Sequence, residues 1–372
     1  MKTDVLIAGG GVAGLYLAYL LEQAGIDYRL VEARSRLGGR VLSVPSSSDG
    51  GRADKYDLGP AWFWPGQPRM LHLADALGLD VFSQYSDGNL VFQDQDGTIR
   101  RDLEFSTMAG SIRVSGGLGC LIDGLSQRIP ADRIRSGEKL TKLSLVEGAI
   151  RASVERNDGE TQLRSSEVVL ALPPRLAARS IAFQPALGED AINAMHSIPT
   201  WMASHAKVVA VYDQPFWREA GLSGDGISHR GPLMEIHDAS PASSTRGALF
   251  GFVGVPAPMR RFGEFDIASL AVEQLAAMFG PEAARPIDVL VQDWAREELT
   301  AVSDDEIGQS QQHPVYGTPA PLRRLWDGKL RLASTEMAPD FGGFLEGALE
   351  SAEMVATGLT DGTTSRLRPS TP

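Results

Sequence analysis

The sequence holds a single cysteine, Cys120, among 372 residues. No intrachain disulfide and no thiolate metal cluster can form from it, which suits a reducing, cytoplasmic setting. The six histidines are His72, His196, His205, His229, His237 and His313. None stands at metal-ligand spacing from another or from a carboxylate motif, so each is read as structural or surface and no metal is expected. No uninterrupted apolar run is long enough to span a bilayer, so no integral membrane segment is expected. The first apolar run starts so near the N-terminus that a secretory leader has no room. Positive charge is also scarce. Lys and Arg number 35 against 47 Asp and Glu, and the net charge of −12 is the wrong sign for a nucleic-acid partner. No internal repeat is visible.

Glycine is plentiful, and its first cluster is informative. Val5, Leu6, Ile7 and Ala8 suit a buried strand, and the apolar residues after Gly14 suit a helix. Gly9, Gly11 and Gly14 lie between them as G-x-G-x-x-G. In that pattern the first glycine permits a tight turn. The second lets the backbone approach a pyrophosphate, and the third lets helix and strand pack closely. The helix N-terminus then offers free N–H groups and a partial positive charge to phosphate. A second strand, Tyr28 to Val31, ends on Glu32, about where such folds place the carboxylate that binds the adenosine ribose. Dinucleotide binding is therefore expected.

Further along, Ser46–Gly51 reads as a surface loop. An amphipathic helix spans Arg69–Leu77 and stops at Gly78. Residues 80–110 read as short strands, and 115–129 as a glycine turn entering a helix. Asn157-Asp158-Gly159 marks a hairpin, and Glu167–Leu172 a buried strand halted by Pro173-Pro174. A second β-rich region starts near Lys207, interrupted by a helix at Ile267–Phe279. Residues 330–334 form a last buried strand, and 347–357 a last helix. Dinucleotide-type segments thus occur at the start, middle and end, with a mostly sheet region threaded between them.

GGGVAGL, EARSRLGGRV, YDLGPAWFWPGQPRMLHLADALGL, AKVVAVYDQPFW and LRLASTEMAPDFGGFLEGALESAEMVA together resemble the FAD-dependent amine oxidase family, the monoamine and polyamine oxidases. The resemblance runs nearly the whole length. It implies an α/β, two-domain flavoprotein. A Rossmann-like FAD-binding domain (1–70, 112–198 and 319–360) would interleave with a mixed-sheet substrate domain (71–111 and 199–318), before a flexible tail (361–372).

It also implies roles for residues. FAD would lie on Gly9, Gly11, Ala13 and Gly14, with Glu32 on the ribose. Arg40 would face the pyrophosphate, with Arg34 and Gly39 in the same cofactor segment, and Leu140 would sit beside adenine. Gly59, Ala61 and Trp62 would pass the flavin ring. Glu336 would close on the ribityl chain, and Phe344, Leu345 and Ala348 would start the last helix. Lys207 would hold a water near the reacting flavin nitrogen, and Phe344 would guide the amine; these two are the catalytic candidates. The bland alternative for Lys207 is an edge-strand lysine with its head in solvent. Trp62 and Trp64 are candidates for the cavity wall, though aromatics are commonly plain core.

The segment QDWAREELTAVSDDE carries no cysteine where monoamine oxidases attach FAD, so non-covalent FAD is expected. Thr300, Ala301 and Val302 occupy the approximate place of a second cage ring opposite Phe344. The implied activity is oxidation of an amine to an imine, with oxygen as acceptor and peroxide as product. A desaturase, a protoporphyrinogen-oxidase-like or renalase-like dihydronicotinamide oxidase, and a non-catalytic flavoprotein stay open as alternatives.

Overall fold

A computed structural model describes residues 2–47, 54–260, 266–306 and 313–366, with side chains through Thr360. Most of the loop expected at Ser46–Gly51, and residues 367–372 of the expected tail, lie outside the described residues.

Two large sheets organise the chain. The first is eight-stranded, and its centre is parallel: Leu330–Leu332, Gly159–Leu170, Lys2–Ala8, Tyr28–Glu32 and Ile134–Ser136 lie side by side. Alternation assigns each residue of Lys2–Ala8 to a face. Val5 and Ile7 pack with helices Val12–Gln23, Gly119–Ser126 and Leu345–Arg366, while Leu6 and Ala8 pack on the opposite face with Leu143, Ile150 and Met195. A strand covered on both faces must be apolar throughout, which is why 5–8 reads as one run.

The strand legible at Glu167–Leu172 is the end of a longer one, Gly159–Leu170. Its first half pairs antiparallel with Ala149–Arg156, and its last three residues pair with Leu330–Leu332 along the same edge. The polar first half, GETQLRSS, hid it. The hairpin turn falls between Arg156 and Gly159, as its Asn-Asp-Gly signal required.

The second sheet has seven strands, taken from Asn89–Leu103 and from Ala206–Asp293. The strand Ala206–Tyr212 is interior, flanked by Gly247–Val253 and Asp288–Asp293. This overturns the edge-strand alternative for Lys207.

Helix boundaries follow the caps. Pro68–Leu77 ends on Gly78 at φ +69, a left-handed cap suited to glycine. The last helix, Leu345–Arg366, is longer than its apolar pattern, and Leu359, two residues beyond Thr357, is still buried.

The helix Val12–Gln23 depends on a close approach. A Cβ on Gly14 would stand 1.9 Å from the Gly9 carbonyl oxygen. Backbone cannot yield as a flexible side chain can, so the helix itself would have to move. We expect Gly14→Ala to cost about 1–3 kcal/mol of stability, typical of overpacking. Thermal melting of the variant checks this, and an unchanged melting temperature would refute it.

Candidate active site

One long cavity of about 540 Å³ runs between the two sheets. Of the residues singled out from the sequence, the cavity is lined by Gly9, Gly11, Ala13, Glu32, Arg34, Gly39, Arg40, Gly59, Ala61, Trp62, Trp64, Leu140, Lys207, Phe344, Leu345 and Ala348. Gly14 and Glu336 do not line it. Gly14 faces Gly9 within the turn, and Glu336 is fully buried behind Arg40.

One end is built mainly from backbone. Gly9 sits at φ +113, where a Cβ would meet the Ala171 carbonyl oxygen at 2.4 Å. A Cβ on Gly11, by contrast, would meet nothing nearer than 3.9 Å, so the space in front of it is open for a ligand. Gly11 caps the helix without any side-chain hydrogen bond, and no acid occupies the first turn. Its leading N–H groups therefore suit an anion. Glu32 is nearly buried and accepts backbone N–H bonds from Gly10 at 2.7 Å and Arg34 at 2.8 Å. These bonds aim its carboxylate and leave lone pairs for hydroxyl donors. The Ser334 hydroxyl, also on the wall, is buried with no partner. A glycine cradle, an uncapped helix start and an orphaned hydroxyl fit a dinucleotide.

Two arginines are held by distant parts of the chain. Arg40 makes a two-pronged contact with Glu336, at 2.6 and 3.2 Å. Burial opposes its charge, but the Glu336 carboxylate more than offsets this and raises its pKa. Glu336 is thus a positioning residue for Arg40. Arg34 donates to Glu297 at 3.1 Å, to Thr300 at 2.8 Å and to the Leu299 carbonyl at 3.4 Å. Thr300 therefore stands with Arg34, not opposite Phe344.

The other end is aromatic. Thr335 donates its hydroxyl to the Phe344 carbonyl at 2.6 Å. The Phe344 ring meets Trp64 edge-on at 6.0 Å, and stacks within 13° of parallel on His313 at 5.1 Å. His313 in turn touches Trp201, another lining residue, at 4.4 Å. His313 does not line the cavity, so its imidazole backs the Phe344 ring and is not a second cage ring across the cavity. Sequence reading missed it because residue spacing does not report which loop returns to a site. Arg36 was missed as well. Its guanidinium binds the carbonyls of Leu37, Gly39 and Val41 and shapes the glycine loop around Gly38 and Gly39.

Lys207 lies at this aromatic end. Alternation puts it on the same face as Val209 and Val211, which pack against Tyr56 and Leu58. It is 3 % exposed. Its ammonium donates to the Gly59 carbonyl at 3.2 Å and sits 3.8 Å from the centroid of the Phe250 ring. Burial pushes its pKa down to about 7, against the pull of Asp57 and with the help of Arg113. Among the described residues, no cluster of ligands could hold a metal, and no helix is long and apolar enough to cross a membrane.

Comparison with known proteins bears on this cavity. The family model for flavin-containing amine oxidoreductases matches residues 12–104 and 91–360. A putrescine oxidase from Kocuria rosea is 26 % identical, over 96 % of this chain and 95 % of its own length. Cyclohexylamine oxidase from Brevibacterium oxydans superposes with a TM-score of 0.81 at 18 % identity, over 98 % of this chain and all of that one. A putrescine oxidase structure with putrescine bound gives 0.77 at 21 % identity, over 97 % and 99 %.

The depressed Lys207 pKa links stability to pH. A lysine binds protons up to about pH 10.4 when unfolded, but in the folded chain only up to about 7. The unfolded state therefore holds more protons between these values, so stability rises with pH across that window. We expect ligand-free Lys207→Met to melt higher than the parent at pH 7. The advantage should shrink as pH approaches 10. A constant difference from pH 7 to 10 would refute this.

Proposed function

The chain belongs to the flavin-containing amine oxidoreductase family, and from that premise we propose that its substrate is a small apolar primary monoamine, bound in its neutral form, with oxygen as the electron acceptor. It is an FAD-dependent oxidoreductase that acts on an amine. The observation that carries the substrate class is the distribution of charge along the cavity. The lining carboxylates Glu32, Glu138 and Glu298 all belong to the dinucleotide end. Glu138 donates its backbone N–H to the Glu32 carbonyl, and Glu298 lies between Glu297 and Leu299, which both bind Arg34. The Lys207 end, among the described residues, offers Trp62, Trp64, Met108, Phe252 and Phe344, and no carboxylate. A second ammonium there would be buried without a counter-charge, at a cost of several kcal/mol. The diamine named for the putrescine oxidase is therefore not carried over.

When bound, FAD supplies the two-electron acceptor for the C–H bond next to the amine nitrogen. The chain's own residues hold the parts. Glu32, Arg34 and Arg40 take the ribose and pyrophosphate, Leu140 the adenine, and the segment Gly59–Trp62 the ring system. Trp62, Trp64 and Phe344 exclude water and confine the apolar part of the amine. Lys207 keeps one N–H on Gly59 and presents the others to the cavity, where they can fix a water or orient the amine nitrogen. In its protonated form Lys207 repels an ammonium, which selects the neutral amine. The same charge favours the negative charge that develops on oxygen as it is reduced.

FAD is held without a covalent bond in this reading. Cys120, the chain's one cysteine, lies on the helix Gly119–Ser126 and does not line the cavity. Acid precipitation should release the flavin into the supernatant; yellow colour retained in the pellet would contradict this. In anaerobic bleaching, hexylamine should reduce the flavin at least about tenfold faster than putrescine, since the diamine must first shed charge or bury it. Equal rates would sink the monoamine assignment. Bleaching by reduced nicotinamides alone would sink the amine reading.

Lys207→Met keeps the stem but removes the charge and its donors. Its reoxidation by oxygen should slow by about tenfold or more, and its bleaching by amine should slow less. Stopped-flow traces that match the parent in both half-reactions would remove Lys207 from the mechanism.

A further inference from the structure

Behind Trp62 lies a buried charged cluster that the mechanism does not use. Asp225 is 1 % exposed and His237 fully buried. Asp225 Oδ1 meets His237 Nδ1 at 3.0 Å, and His237 Nε2 meets Glu235 at 2.9 Å. The other oxygen of Asp225 reaches across to a different part of the chain. It accepts the Ser106 hydroxyl at 3.0 Å and the Thr107 backbone N–H at 3.2 Å. The Thr107 hydroxyl stands 3.3 Å from His237 Nδ1.

The segment so held carries Met108 to the cavity wall. Met108 belongs to the aromatic end. Its carbonyl accepts from Ser111, whose own carbonyl accepts the backbone N–H of Gln84. Gln84 accepts the Trp62 indole N–H at 2.8 Å, and Trp62 meets His237 edge-on at 5.0 Å. The segment around residues 104–108 forms no helix or strand, and Phe105 is 59 % exposed. Among the described residues, the side-chain hydrogen bonds of Ser106 and Thr107 are made with Asp225 and His237.

The local backbone is arranged for this contact. Pairing between Leu222–Ser228 and Asn89–Gln93 shifts register between Leu222 and Gly226. Within that irregularity Gly224 takes φ +83, and a Cβ there would strike Trp217 and Asp238 at 2.8 and 2.9 Å. Such a bulge re-aims a side chain out of the ladder. It places the Asp225 carboxylate beneath Ser106 and Thr107. Burial opposes charge on His237, but its bonds to Asp225 and Glu235 outweigh this and raise its pKa. The imidazole thus bridges Asp225 and Glu235 and holds the Asp225 carboxylate in place at the clamp.

We propose that Asp225 is a specificity-determining residue: by tying down Ser106 and Thr107 it fixes Met108 beside Trp62, and so limits how long an amine the aromatic end admits. The assignment rests on the amine reading above. Asp225 touches neither amine nor FAD; it acts through Met108. Methionine suits the place, since it is flexible and fills a gap only when its backbone is held.

Two measurements on the FAD-bound protein test this separately. The first is chymotryptic cleavage after Phe105. Asp225→Asn should be cut there at least fivefold faster than the parent, and unchanged cleavage at an unchanged melting temperature would overturn the clamp. The second is anaerobic bleaching by straight-chain amines from butylamine to octylamine. Met108→Ala should shift the ratio of rate constant to dissociation constant at least fivefold toward the longer amines, chiefly through the dissociation constant. Asp225→Asn should shift it in the same direction, and the double variant no further than the larger single effect. Shifts that simply multiply in the double variant, or a length preference that ignores either substitution, would overturn the proposal. If Asp225→Asn does not fold, Thr107→Val with Ser106→Ala removes the same hydroxyl donors from the outer side and is read in the same two ways. A parent whose flavin no amine bleaches would refute the amine reading, whereas the cleavage result would still decide the clamp.

Discussion

The contact between Arg40 and Glu336 joins residues 296 positions apart in the chain, and the cavity depends on it. Arg40 belongs to the loop that follows the second strand of the parallel sheet, and Glu336 to the turn before the last helix. Glu336 is fully buried, so its charge is tolerable only with a close partner. Removing one member of such a pair typically costs about 3–5 kcal/mol, because the other is left charged and dry. A second carboxylate from the same region works in parallel. Glu346, also fully buried, accepts the backbone N–H groups of Arg69 and Met70 and so caps the helix Pro68–Leu77. That helix has no side-chain cap of its own. The end of the chain thereby fixes the guanidinium and the helix start contributed by its beginning.

Lys207 is a different kind of constraint. It occupies a strand whose other residues are apolar, and alternation forces it onto a buried face. An apolar residue would be more stable there at neutral pH. The Gly59 carbonyl and the Phe250 ring offset part of the penalty, and a pKa near 7 expresses what is left. A group that titrates near physiological pH inside a cavity is suited to chemistry for the reason that makes it poor for folding.

These two features explain what could be read from the sequence. The glycine cradle, Glu32 and the helix of residues 12–23 were legible because a dinucleotide site is built from neighbours in sequence, and Gly14 answers a steric demand within that same turn. Lys207 was legible as an oddity, a cation in an apolar strand. Whether that strand was interior was not, since edge and interior strands share one alternation. The pairing of Arg34 with Thr300 and the stacking of His313 on Phe344 were not legible. Nothing local distinguishes a loop that binds Arg34 from one that returns to Phe344. Asp225 and His237 gave no signal either: they sit two and three strands away from the strand that leads into the segment they hold, and a register shift, not a motif, aims Asp225.

The cavity thus has two ends made in two ways. The dinucleotide end is mainly backbone, and Gly14 there cannot be replaced without moving a helix. The aromatic end is made of side chains drawn from separate segments: Trp62 and Trp64, Met108, Lys207, Phe252 and Phe344. Three of them have separate supports, Gln84 for Trp62, Thr335 for Phe344, and the Asp225 cluster for the segment that leads to Met108. A change in one support can therefore alter the shape offered to the amine without disturbing the phosphate cradle at the other end, since no atom of the cradle enters those hydrogen bonds. The division lets one scaffold keep its hold on the flavin while the amine end is reshaped one side chain at a time.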